Sequence, residues 1–243
     1  MPELLISEIT RMADGFCVIG LMSNPTGFCS LRPMPRVGFA WRPFPYRRAD
    51  RVAFELSLVP LAVPHLEDRQ AGSHSRLGAV PEAELVDCLK RAEVATSVRG
   101  LFGCDARPNP RRGSGVYVEP AEGSRSVCGC AIDNIRFAFN FYPQRNIRAS
   151  VRLQSGDRLD SLPWVDHDWL RFADHLWNVS QGTANVRQRL QSFFNRQIRE
   201  HILSSPAPFA RIGLTRPGDD GRCWLMLDSV FPLPRKKWLE EFQ

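Results

Sequence analysis

Short β-prone runs recur along this chain with a turn signal after almost every one, and that rhythm limits the fold more than any other feature. Leu4 to Thr10 and Phe16 to Met22 flank Ala13-Asp14-Gly15, the pattern of a hairpin. Phe28 to Leu31 follows the turn signal Asn24-Pro25-Thr26-Gly27. Arg51 to Ala62 (RVAFELSLVPLA) places Val52, Phe54, Leu56 and Leu58 at every second position, as a half-buried strand does. Spacing of this kind predicts a small barrel or a sandwich.

Residues 64–80 are polar and read as loop. Pro81 then opens a helical stretch through Val94, with Leu85, Cys88, Leu89 and Ala92 on one side. Gly, Pro, Ser and Arg dominate from Gly100 to Gly129, broken by the short run Val116 to Val118. Asn134 to Tyr142, Asn146 to Gln154 and Arg158 to Val165 read as consecutive strands. A helix capped by Asp166 or Asp168 follows, and a second, capped by Thr183, runs to about Leu203 with Val186, Leu190, Phe193, Phe194, Ile198 and Ile202 as its apolar stripe. Phe209 to Thr215 and Cys223 to Phe231 close the chain as strands. The expected organisation is mostly β (α+β): a first β block over 1–64, a loop and helical connection over 65–109, and a second β block over 110–243 with a helical insertion at 166–202.

The same pattern excludes whole classes of protein. Met1 to Ile9 carries Glu3 and Glu8 and lacks a signal-peptide pattern, and no stretch approaches the ~18 apolar residues of a membrane helix. Seven cysteines without a secretory signal fit free thiols in a reducing compartment, so a soluble, cytoplasmic protein is expected.

Charge is where the chain departs from the ordinary. Of 32 basic residues only Lys90, Lys236 and Lys237 are lysines; the other 29 are arginines. A GC-rich genome favours arginine codons whatever the function, so position carries more information than number. The densest segment is Arg32 to Arg51, where Arg32, Arg36, Arg42, Arg47, Arg48 and Arg51 are interleaved with Phe39, Trp41, Phe44 and Tyr46, and prolines keep the backbone extended. Arginines neutralise phosphates and ring faces accept stacked bases, the combination that single-stranded or irregular nucleic acid requires. The competing reading is a proline-rich loop whose rings pack on the barrel and whose arginines are solvated. A second segment holds Arg107, Arg111, Arg112, Tyr117 and Arg125, with glycines that let backbone amides approach a phosphate. A solvated loop is the competing account there. Arg189, Arg196 and Arg199 face away from the apolar stripe of their helix, where solvated surface is the default and contact with a nucleic-acid backbone is the alternative. The basic tail Arg235-Lys236-Lys237 reads as structural.

Metal and catalytic chemistry find little support. Cys128-Gly129-Cys130 has one intervening residue and no second cysteine pair, against the two to four usual in zinc knuckles. His65, Glu67, Asp68 and His74 place titratable groups in one stretch, and Asp166, His167 and Asp168 in another, the latter explained by helix capping. Gly113-Ser114-Gly115 completes neither a Walker loop nor a dinucleotide fingerprint, and no nucleophile elbow or zincin motif is present. No catalytic residue, cofactor or metal is therefore assigned.

Four elements, in order, resemble the bacterial dual-OB-containing domain family: ISEITRM…GFCVIG…LRPMP, then RVAFELSLVP followed by PHLED, then GVYVEPAEGSRSVCG, and finally RIGLTRP…CWLMLDSVFPLP. They span nearly the whole chain, and none is a catalytic motif. The resemblance implies two OB-like small β-barrels with inserted helices, and a place among prokaryotic genes linked to mobile elements or antiviral defence. It supplies no binding residues.

Together these readings lead to a nucleic-acid-binding adaptor or sensor subunit using Arg32–Arg51 and Arg107–Arg125, with protein partners in a larger complex and no membrane. An interaction subunit meeting an acidic protein is one alternative. A small-nucleotide sensor or enzyme, with a pocket around His65–His74 or Gly113–Tyr117, is the other.

Overall fold

The computed structural model describes residues 1–38, 40–59, 64–92, 94–109, 115–140, 146–181 and 185–234. Its first unit is a closed barrel. β1 (Glu3–Met12), β2 (Gly15–Asn24) and β3 (Gly27–Met34) form a meander, and β4 (Asp50–Leu56) and β5 (Asp68–Ala79) close it. The strand order is β1-β2-β3-β5-β4, with β4 returning to β1 and β3 lying parallel to β5. This is the five-stranded Greek-key arrangement of an OB-like barrel. Gly15 and Gly27 begin β2 and β3 at φ values of 142° and 147°, where a side chain would also meet the backbone of Trp41 and Arg91. Leu4, Ile6, Val18, Leu31, Val52 and Phe54 fill the barrel, and Trp41, Phe44 and Tyr46 pack against that core from the β3–β4 connection.

The loop reading of residues 64–80 is corrected by β5, a twelve-residue strand. Its side chains hide the strand signal. Only Asp68 and Ala71 of DRQAGSHSRLGA are fully buried, so almost no apolar alternation reaches the sequence.

Helix α1 (Glu82–Lys90) leaves the barrel as expected and buries Leu85, Cys88 and Leu89. These join Leu5 and Leu21 of the barrel and Phe209 and Phe231 of the last two strands in one cluster, so α1 packs where the two units meet. β6 (Val94–Ala95), α2 (Val98–Phe102), β7 (Arg107–Pro108) and β8 (Val116–Val118) follow. Then come β9 (Val127–Asn140), β10 (Asn146–Leu153) and β11 (Arg158–Pro163).

Helix α3 (His167–Val179) starts where the sequence signal put it: Asp166 accepts from the amides of Asp168 and Trp169. The next helix runs as α4 (Val186–Phe193), a π-helical turn (Phe194–Ile198) and α5 (Arg199–Leu203). Asn185 precedes it, while Thr183, the expected cap, lies outside the described residues. The π-turn has a cause in the sequence. Leu190, Phe194, Ile198 and Ile202 are all buried at a strict spacing of four, which over-rotates an α-helix by about 40° per step. One wider turn brings the stripe back to the core.

β12 (Phe209–Leu214) and β13 (Cys223–Phe231) complete a curled half-barrel in the order β11-β10-β9-β12-β13-β8-β7, open at its edges, with β6 alongside β9. β10 pairs the C-terminal half of β9, and β12 pairs its N-terminal half. The helices cover the inner face, where Trp164, Trp169, Phe172, Phe194 and Phe137 form the largest core. All seven cysteines are free thiols; Cys128 and Cys130 share the buried face of β9, and burial pushes the Cys130 thiol up to about 12. Among the described residues no helix is long and apolar enough to cross a membrane.

Candidate nucleic-acid interface

The structure divides the Arg32–Arg51 segment rather than presenting it on one face. Arg32 is buried. Its Nη1 donates to Asp68 Oδ1 at 2.7 Å and to His65 Nδ1 at 3.0 Å, and its Nη2 to Ser126 Oγ at 3.2 Å. Arg48 is buried as well, its Nη2 donating to Asp166 at 2.7 Å and its Nε ion-paired with Asp168 at 3.2 Å, with its guanidinium over the Phe231 ring. The rings pack edge-on with one another: Trp41 on Phe44 at 5.5 Å, Phe44 on Tyr46 at 5.2 Å, and both Trp41 and Tyr46 on His74. Trp41 Nε1 donates to the Pro33 carbonyl and Tyr46 bonds His74 Nδ1, which holds the cluster on the barrel. Arg36, Arg42 and Arg47 remain exposed, Arg42 in a surface pair with Asp14.

The second segment is likewise dispersed. Arg107 pairs with Glu122 at 2.7 Å and lies 3.7 Å from Glu119. Tyr117 is buried against Trp224, and Arg222 covers its ring at 4.4 Å, so its faces are occupied. Arg125 is half-buried with its Nη1 4.0 Å from Cys128 Sγ. Arg111 and Arg112 lie outside the described residues.

What unites the buried members is the seam between barrel and half-barrel. Arg211 on β12 donates to Glu8 on β1, and Arg48 reaches Asp166 at the start of α3. Asp68 accepts from both Arg32 and Arg216, and Glu67 accepts from the Ser126 amide and hydroxyl. These charges are desolvated, and each guanidinium has a carboxylate partner, the condition under which buried charge is tolerated. Burial and the adjacent Arg32 charge hold the His65 pKa down at about 4. Burial, reinforced by the Glu8 charge, pushes Asp228 up to about 8 against the attraction of Arg32 and Arg211.

The accessible cationic feature is elsewhere, on the outer face of the half-barrel. Cross-strand register puts Ser150 opposite Arg136, and Arg152 opposite both Asn134 and Arg158, so these side chains share one face of β9, β10 and β11. They line a hollow of about 130 Å³. Arg136 also lines a second hollow, of about 340 Å³, with Gln191, Asn195 and Arg199. Asn195 and Arg199 line a third with Arg196 and Glu200. The three adjoin through these shared residues into a groove carrying Arg158, Arg152, Arg136, Arg199 and Arg196. Glu200 is the one acid among its described lining residues.

Backbone chemistry builds this groove. The C-terminal half of β9 has β10 on one side and no paired strand on the other among the described residues. Asn195, in the π-turn, fills that gap. Its Oδ1 accepts from the Phe137 amide at 2.9 Å and its Nδ2 donates to the Phe137 carbonyl at 2.8 Å. Arg199 Nε donates to Asn134 Oδ1 at 3.1 Å, tying α5 to the same strand. Arg152 and Arg158 pair with Asp133 and Asp160 at 2.7 Å, but these are exposed pairs, which hold little stability and are screened by salt. Arg136 has no ion-pair partner among the described residues.

Reasoning from local arginine density missed Arg136, Arg152 and Arg158. The signal was present: in NIRFAF and SVRL each arginine sits between apolar residues at every second position, so the strands that bury Phe137 and Val151 must turn those arginines to solvent. Comparison with protein-family models, with curated proteins and with solved structures gives no match.

Proposed function

We propose that this chain is a nucleic-acid-binding protein that holds the phosphodiester backbone in the arginine groove of its half-barrel, and that it works as an adaptor or sensor subunit rather than as an enzyme. The observation that carries the reading is the convergence of five arginines from β9, β10, β11 and the π-turn helix on three hollows that share lining residues, where Glu200 is the one acid in the described lining and Asp133 and Asp160 pair with Arg152 and Arg158 beside it. Guanidinium groups bind phosphate bidentately and release condensed counterions when they do. The OB-like strand order of the barrel supports the same reading, since such barrels serve oligonucleotide recognition. The family resemblance noted from the sequence agrees with it and suggests a prokaryotic defence or mobile-element setting.

The groove offers no exposed aromatic ring among its described lining residues, so the proposed contact is to backbone and not to stacked bases. The barrel-side arginines Arg36, Arg42 and Arg47 provide further exposed charge. Binding of labelled single- and double-stranded DNA and RNA to the wild type and to Arg136→Glu tests the proposal. Charge reversal in the groove should weaken every strand type that binds, and equal affinity in the variant would overturn the assignment. Retention of a polyglutamate-containing peptide, with no strand bound, would assign the groove to an acidic protein instead.

A further inference from the structure

The hollow between β9, β10 and β11 has properties that passage of a phosphodiester backbone does not call for. It is small. At about 130 Å³ it falls well below the roughly 300–1,000 Å³ of pockets for drug-sized ligands, and it suits a group of a few heavy atoms. It also lies at the end of the groove. It shares Arg136 with the second hollow and no lining residue with the third, and β11 on its far side is the edge strand of the sheet.

The polar wall of this hollow presents donors. A bulge between β10 and β11 arranges two of its neighbours: Ser161, at a left-handed φ of 56°, turns its amide to Ser150 Oγ at 3.1 Å and its carbonyl to Arg148 Nη1 at 2.6 Å. Ser150 therefore accepts from the backbone and keeps its hydroxyl hydrogen to donate. Asn134 Oδ1 accepts from Arg199, which leaves the amide Nδ2 as a donor. Arg152 and Arg158 bond their aspartates through Nε, and their Nη groups have no partner among the described residues.

Charge separates the kinds of phosphate that could sit there. The charged residues of β9, β10 and β11 are Arg136, Arg148, Arg152 and Arg158 against Asp133 and Asp160, an excess of two positive charges. Arg148 has the Ser161 carbonyl and no carboxylate for a partner among the described residues, and burial lowers its pKa. A backbone phosphodiester supplies one negative charge. A phosphomonoester supplies about 1.5–2 at neutral pH, with three acceptor oxygens.

We propose that this hollow seats the terminal phosphate of a nucleic-acid strand, a phosphomonoester held by Arg136, Arg152 and Arg158 with Ser150 and Asn134 donating to its oxygens. The proposal rests on the reading of the groove as a strand-binding surface: the strand runs from the helix side across β9 and ends at the edge of the sheet.

The test measures affinity of the full chain for an internally labelled oligonucleotide, of the strand type that binds best, whose ends carry hydroxyls, a 5′ phosphate or a 3′ phosphate. A phosphate at the end that seats should tighten binding about tenfold, the value of one added charge-assisted hydrogen bond. That advantage should shrink as pH falls through about 6, where the monoester dianion takes up a proton. Arg136→Gln and Arg158→Gln, both at exposed positions, should each abolish the difference between phosphate and hydroxyl ends. Equal affinity for the two kinds of end, with Arg136→Gln weakening both, would overturn the terminal-phosphate site and leave the groove standing. A preference for the phosphate end that survives both substitutions would overturn it as well. Inorganic phosphate that binds as tightly in titration calorimetry as the phosphorylated strand would assign the hollow to a free phosphate instead. Absence of any oligonucleotide binding would overturn the groove and this proposal together.

Discussion

Arg211 Nε donates to Glu8 Oε1 at 2.6 Å across 203 residues of chain, and neither side chain has any exposed surface. Ser7 supports the carboxylate at 2.5 Å and Ser30 accepts from Arg211 Nη2 at 2.7 Å, so the pair belongs to a network inside the seam. With Arg48–Asp166 and Arg216–Asp68 it ties the two β units together through buried charge.

Breaking that pair from one side leaves an uncompensated buried charge. Glu8→Gln should destabilise the protein by about 3–5 kcal/mol, read from urea unfolding, and the barrel and half-barrel should still unfold in one transition. Glu8→Met with Arg211→Met should recover most of that loss, because the desolvation cost of both charges disappears with them.

Asp228 gives the seam a pH dependence of definite sign. Its folded pKa of about 8 lies above the ordinary aspartate value of 3.8, so the folded state retains a proton that the unfolded state releases. The associated stability is full below about pH 4 and is lost as pH rises through 8, at up to about 1.4 kcal/mol per pH unit. His65 acts in the opposite sense: its pKa falls from 6.5 to about 4, so its contribution is full above 6.5 and is lost as pH drops through 4. The two oppose each other at acid pH, and between 6.5 and 8 the Asp228 slope stands alone of the pair. Asp228→Asn should flatten stability against pH in that window, and an unchanged slope would assign the dependence to other groups.

Trp41 is expected to matter for folding and not for stacking. Its ring packs on Phe44 and His74 and its Nε1 is bonded to Pro33, so Trp41→Ala should lower stability by about 2 kcal/mol, less than a fully buried tryptophan would. Oligonucleotide affinity, measured well below the melting temperature, should stay within a factor of about two, since no stacked base is lost.

The parts of the fold that were legible in sequence are those where burial and local signal coincide. The β1–β2 hairpin, the α1 stripe and the Asp166 cap all depend on neighbours within a few residues. β5 was not legible because its buried positions are Asp68 and Ala71, neither of which looks like a core strand. The fates of Arg32 and Arg48 were hidden for a different reason. Their carboxylate partners lie 36 and 118 residues away, and nothing local distinguishes an arginine bound for a buried pair from one bound for phosphate. Rings at Trp41, Phe44 and Tyr46 look alike in sequence whether they cap a barrel or await a base. The groove needed register: only the pairing of β9 with β10 and of β10 with β11 brings Arg136, Arg152 and Arg158 together.

The most direct test of the groove is the salt dependence of oligonucleotide affinity, compared between the wild type and an Arg136→Ala, Arg152→Ala, Arg158→Ala variant whose melting temperature is unchanged. Each lost phosphate contact should reduce the slope of log affinity against log salt by about 0.7 for a single strand or 0.9 for a duplex. A slope shallower by about two to three units in the triple variant is the predicted result. A slope identical to that of the wild type would contradict the account and move the binding surface away from the half-barrel.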